Sequence, residues 1–105
     1  YAGKMHALTF RTWKNRVKGR DWYDFEWYVR NGVKLNFEHL RERIKEFNSL
    51  NMTKQEFMEC LKERLATTDI NKVKQDVKPY IKDLHPLDIW SNDYFLQLAD
   101  MIEFC

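Results

Sequence analysis

Apolar residues return along this chain at intervals of three and four, the spacing that gathers them on one side of an α-helix. From Gly3 to about Lys14 the run KMHALTFRTWK contains no Pro and no internal Gly, and Met5, Leu8 and Thr12 recur at helical spacing. This predicts a first helix on which Lys4 and Arg11, seven apart, share a face. A short basic loop, Asn15 to Gly19, follows. Asp21 is placed to cap a second helix, because a carboxylate accepts from the free amides of a first turn; Trp22, Phe25 and Val29 form its inward stripe. Asn31-Gly32 ends it, since Gly readily takes the left-handed conformation that closes a helix.

Asn36 opens a third helix with Phe37, Leu40, Ile44 and Phe47 inward and Arg41, Glu42, Arg43, Lys45 and Glu46 on the wet side. Thr53 with Glu56 forms a capping box, and Phe57, Leu61 and Leu65 carry the fourth helix onward. Thr68 or Asp69 caps a fifth, with Ile70, Val73, Val77 and Ile81 inward; Pro79 kinks it or confines its regular part to the residues before it. Pro86 falls in a connecting loop, and Ser91 or Asn92 starts a last helix with Phe95, Leu98 and Ile102 on its apolar face. No stretch alternates with period two between hairpin turns, and no repeat or low-complexity tract occurs. The expected fold is all-α, a compact array of about six short helices in one domain spanning residues 1–105.

Composition adjusts this picture little. A chain of 105 residues with 44% hydrophobic and 32% charged residues, three Gly and two Pro has the make-up of an ordinary globular domain. The seven Phe, five Tyr and four Trp supply bulky packing material. The net charge of +2 is too small to imply nucleic-acid binding, but it is unevenly spread. Lys4 to Arg20 holds seven basic side chains, counting a protonated His6, and no acid. Two cysteines, Cys60 and Cys105, with no Cys-x-x-Cys pair, fit a reducing compartment, so a cytoplasmic location is expected. No apolar run reaches the roughly eighteen residues a membrane span needs, and no signal peptide opens the chain. The chain starts on Tyr1, directly in helical sequence, which implies a segment missing upstream.

The stretch Gly3 to Gly32 holds the candidate chemistry. Lys4, Ala7 and Leu8, then Arg11, then Arg20, Asp21, Tyr23, Asp24 and Phe25 follow the order K-x-x-A-L, Arg, R-D-x-Y-D and an apolar residue. In this the chain resembles the C-terminal part of the AbiEii/AbiGii-type toxin nucleotidyltransferases. The resemblance rests on about thirty residues, Gly3 to Gly32, and the helical remainder is compatible with it. It implies a part in handling a nucleoside triphosphate (NTP) during nucleotide transfer to an acceptor, which for some family members is tRNA. Lys4, Asp21 and Asp24 are then the candidate catalytic residues, and Arg11, Lys14 and Arg20 the candidate substrate-binding residues. A Lys acts as a point charge on phosphate, and an Arg further along the same face adds two-pronged contacts. The full-length family needs Mg²⁺ and a Gly-Ser motif followed by an Asp-x-Asp-like pair; this chain contains neither motif. The resemblance therefore implies a fragment without a metal or cofactor of its own, inactive alone, whose Lys4, Arg11 and Asp21 form half of a composite site. Its implied partners are NTP and tRNA in the full-length protein and a cognate antitoxin, with no membrane.

Blander readings stand beside these. Asp21 and Asp24 serve equally as first-turn carboxylates favoured by the helix dipole, and Lys4, Arg11 and Arg20 as a solvated face or as salt-bridge partners of those two acids. Tyr23 and Trp27, off the face of Trp22 and Phe25, suit helix packing better than a stacking platform for a base. His6, His39 and His85 share no ligand spacing with the cysteines and are read as ordinary histidines. Cys60 is read as a packing residue and Cys105 as incidental. The competing function is a non-enzymatic helical interaction module docking an antitoxin or a second copy, which gains if Trp22, Trp27, Tyr28 and Trp90 form one exposed patch while the Lys4 and Arg11 face is blocked. A third reading is an independent nucleic-acid binder acting through Lys4 to Arg20.

Overall fold

A computed structural model describes residues 1–10 and 18–105. Among them are six α-helices: α1 (Ala2–Phe10), α2 (Gly19–Arg30), α3 (Phe37–Asn48), α4 (Lys54–Thr67), α5 (Ile70–Val77) and α6 (Asn92–Asp100). Short 3-10 segments occupy Lys78–Tyr80 and His85–Ile89 between α5 and α6. There is no strand among the described residues, only an isolated parallel bridge of Leu35 with Phe104. The all-α expectation holds. Thr12 and the remainder of the expected first helix beyond Phe10, including Arg11 and Lys14, lie outside the described residues.

The helix ends follow local chemistry in most places. Asn36, Thr53, Asp69 and Ser91 each cap their helix by accepting a backbone N–H, and Thr53 and Glu56 complete the capping box. The α2 C-terminus closes with Gly32 at φ +64°, Gly32 N–H donating to Val29 O and Val33 N–H to Tyr28 O, the paired bonds of a left-handed helix stop. Pro79 confines α5 to the residues before it, as its missing N–H and ring require. Pro86 sits at the start of the 3-10 segment His85–Ile89 rather than in an irregular loop, a first-turn position where no donor is missed.

The N-terminus of α2 departs from expectation. Asp21 is not its cap: the helix begins at Gly19, and Asp21 lies inside the first turn. The Gly19 N–H donates at 2.7 Å to Asp76 Oδ2 of α5, so the cap comes from a residue 57 positions along the chain. Such a partner leaves no local signature.

The core runs through all six helices. Met5 and Leu8 of α1, Trp22, Phe25 and Val29 of α2, Leu40 and Ile44 of α3, Phe57, Leu61 and Leu65 of α4, Val73 and Val77 of α5, and Phe95 and Leu98 of α6 are all buried. Phe95 is held edge-on by Trp22 at 4.8 Å and by Trp90 at 5.0 Å, geometries that favour aromatic pairs. Phe47, expected inward, is 60% exposed at the end of α3, under the Arg43 guanidinium. Ile81 and Ile102 are partly buried but lie beyond the ends of α5 and α6.

Helices α2 and α5 meet closely at Gly19. A Cβ there would lie 2.4 Å from Val73 O and 2.9 Å from Val77 N, backbone atoms that cannot swing aside. Gly19→Ala is therefore expected to cost about 1–3 kcal/mol and lower Tm by roughly 5–15 °C. Gly3→Ala is the control, since its nearest neighbour is the mobile Arg43 guanidinium at 3.7 Å; it should melt at or above wild type. Thermal unfolding followed by circular dichroism decides it, and equal melting of Gly19→Ala and wild type would contradict the close approach.

Candidate functional site

The pairing of α1 with α2 brings together three of the residues singled out in the sequence. Lys4 Nζ lies 3.0 Å from Asp24 Oδ2 and 3.8 Å from Asp21 Oδ1. The two carboxylates are three residues apart on α2, so both face the same neighbouring helix. Their environments differ: the Asp21 side chain is 7% exposed, that of Asp24 36%, and that of Lys4 42%. Asp21 is thus set behind, while Asp24 and Lys4 reach water. An ammonium carries three donors, so Lys4 keeps donor capacity towards solvent while facing two acids. The half-exposed Lys4–Asp24 pair contributes at most about 1 kcal/mol to stability.

Arg20 does not join this cluster. Its guanidinium lies over the Tyr80 ring, 4.8 Å from the centroid. There it lines an open groove of about 530 Å³ between α2 and the segment from Val77 to Pro86. Asp24 lines the same groove, so the Lys4 cluster and the groove adjoin. Arg11, Lys14 and Arg16 lie outside the described residues.

One ionisable residue was missed altogether. Glu26 is buried, 5% exposed, and its Oε2 accepts from Trp90 Nε1 at 3.0 Å and from the Tyr94 hydroxyl at 2.5 Å. The signal was present: position 26 is four beyond Trp22 and three before Val29, on the buried stripe of α2. An acid there is conspicuous only when the stripe is read by spacing rather than by apolar type. Burial and the bond to Glu26 push the Tyr94 hydroxyl pKa up to about 12. Burial, with a smaller contribution from Tyr28, likewise pushes Tyr1 to about 12; the two rings stack at 4.4 Å.

The aromatic residues separate by role. Trp22 and Trp90 are core residues, each 2% exposed, whereas Trp27 is 52% exposed. The four-residue patch that would favour the interaction-module reading is therefore not formed. Tyr23 stands at the edge of the groove rather than between helices. The histidines make ordinary polar contacts: His6 Nε2 lies 2.7 Å from Asn48 Oδ1, and His85 pairs with Asp83. Both cysteines are free, and burial followed by nearby glutamates raises the Cys60 thiol pKa. Among the described residues no group of three or more His, Cys, Asp or Glu side chains is arranged to hold a metal ion. No described helix is long and apolar enough to cross a membrane.

A protein-family model described as nucleotidyl transferase AbiEii toxin, type IV TA system, matches residues 1–101. No curated protein and no solved structure matches the chain.

The raised tyrosines set an alkaline limit. Their folded pKa values lie above the ordinary 10, so the unfolded chain loses these protons first, and the stability they contribute is complete below pH 10 and lost as pH climbs towards 12. Denaturant midpoints are expected to fall across that window. Tyr1→Phe should flatten the fall without disturbing Glu26; an unchanged slope in this variant would contradict the assignment.

Proposed function

The chain belongs to the AbiEii toxin nucleotidyltransferase family of type IV toxin-antitoxin systems, and from that membership we propose that it forms the C-terminal helical domain of a larger cytoplasmic nucleotidyltransferase whose partner is a cognate antitoxin. The reading is carried by one observation: Lys4, Asp21 and Asp24, three of the five charged residues of the family-like motif, converge across α1 and α2.

In this proposal the Lys4 ammonium exchanges a carboxylate for a phosphate oxygen of an incoming NTP, its reach set by the rigid α1–α2 packing. Asp24, partly in water, accepts a hydrogen bond from the acceptor hydroxyl. Asp21, buried behind the pair, is a positioning residue that keeps the ammonium on the α2 side. Arg11, Lys14 and Arg20 add positive charge for NTP phosphates and for an acceptor such as tRNA. Mg²⁺ and the triphosphate are bound by a metal-binding core outside this chain, because the chain has neither a Gly-Ser dipeptide nor an Asp-x-Asp pair. The domain alone is then inactive and closes one side of a composite site.

The test is nucleotidyl transfer by the full-length protein with labelled NTPs, Mg²⁺ and total tRNA, each variant first shown by circular dichroism to be folded. Lys4→Ala should raise the KM for NTP about tenfold or more, with partial recovery in Lys4→Arg. Asp21→Asn should lower kcat/KM by a similar factor. Transfer that survives both changes would make these scaffold residues and leave the interaction-module reading in their place.

A further inference from the structure

The groove between α2 and the segment after α5 combines cations with exposed aromatic rings and adjoins the Lys4 cluster through Asp24. Tyr80 is 62% exposed and Tyr23 36% exposed, so two phenol rings of the groove reach solvent. The Arg20 guanidinium lies over Tyr80, making a combined cation and aromatic surface. Lys82 stands on the same wall, exposed. Among the described residues neither Arg20 nor Lys82 has a carboxylate partner. Both acids of the groove are already engaged: Asp24 by Lys4, and Asp83 by the backbone N–H and ring of His85, contacts that hold the Asp83 carboxyl below its usual range. Two unclaimed cations beside exposed rings suit a ligand that is both planar and anionic.

The geometry points to this groove as a seat for an unpaired nucleotide of a single-stranded RNA, the base stacking on the Tyr80–Arg20 surface and its phosphates meeting Lys82 and Arg20. This rests on the proposed nucleotidyl transfer and specifies where the acceptor strand runs, since Asp24 belongs both to the groove and to the Lys4 cluster. A strand is favoured over a free nucleotide on grounds of magnitude. One base stack and two surface cations hold a lone nucleotide only at millimolar concentration, whereas a strand anchored elsewhere on the protein presents its base at high effective concentration.

The experiment is fluorescence anisotropy of the full-length protein with a labelled single-stranded RNA of about ten nucleotides, a length within the usual range of such sites. Tyr80→Ala is expected to raise Kd roughly five- to tenfold, Tyr80→Phe to restore it, and Lys82→Ala to weaken binding and reduce its salt dependence by about one charge. Tyr80 is largely exposed, so the variants should fold; circular dichroism checks this. Unchanged Kd in Tyr80→Ala, equal loss in Tyr80→Phe, or no RNA binding by wild type would each overturn the proposal. So would competition by free AMP well below millimolar concentration, which would mark a mononucleotide site. The two readings fail separately. RNA binding that depends on Tyr80, with transfer indifferent to Lys4 and Asp21, sinks the catalytic assignment alone; the reverse pattern sinks the groove alone.

Discussion

The rotation of α2 about its own axis decides where Arg20, Asp21, Tyr23 and Asp24 point. Two contacts set it. At the N-terminus Gly19 lies against the backbone of α5, its N–H bonded to Asp76. Further along, Glu26 is drawn into the core by Trp90 and Tyr94. With those points held, Trp22, Phe25 and Val29 face the core, Asp21 and Asp24 face α1, and Arg20 and Tyr23 face the segment after α5. A turn of α2 by one residue, about 100°, would bury the wrong face and separate Lys4 from both acids.

Energetics separate scaffold from candidate chemistry. The Glu26 node is a buried carboxylate whose loss would leave Trp90 and Tyr94 donors in the core without an acceptor, a cost of about 1–3 kcal/mol for each. It therefore belongs to the scaffold, although Glu26 is chemically as able as any acid in the chain. The Lys4–Asp24 pair is the opposite case, half in water and nearly neutral for stability. Charges that hold little together are free to change partners when a more highly charged ligand arrives.

Most of the fold was legible from spacing alone, since Met5, Leu8, Phe25, Ile44, Leu61, Val73 and Phe95 lie on stripes that only a helix makes. What was illegible depends on tertiary contact. Asp21 reads as a cap by local preference, but Asp76 supplies that bond from a distant helix, which allows α2 to begin three residues earlier. Phe47 fits the α3 stripe by position, yet it falls at the last turn, where only the His6 ring of α1 and the Arg43 guanidinium lie against it and most of the ring stays exposed. In the candidate site, the convergence of Lys4 with Asp21 and Asp24 followed from a motif and a salt-bridge alternative, both visible in the residues. The groove beside Arg20 was not visible, because Tyr80 and Lys82 are about 60 residues away and reach Arg20 only through the α2–α5 packing.

The central claim is that Lys4 and Asp24 are paired for chemistry rather than for structure. A charge swap separates these roles. Lys4→Asp combined with Asp24→Lys, in the full-length protein, rebuilds an ion pair across α1 and α2 with its direction reversed. Melting temperature and nucleotidyl transfer would be measured on the same sample. The account predicts that the double variant melts like wild type and does not regain transfer, because the ammonium now stands on the wrong helix. Recovery of transfer together with the restored pair would contradict it.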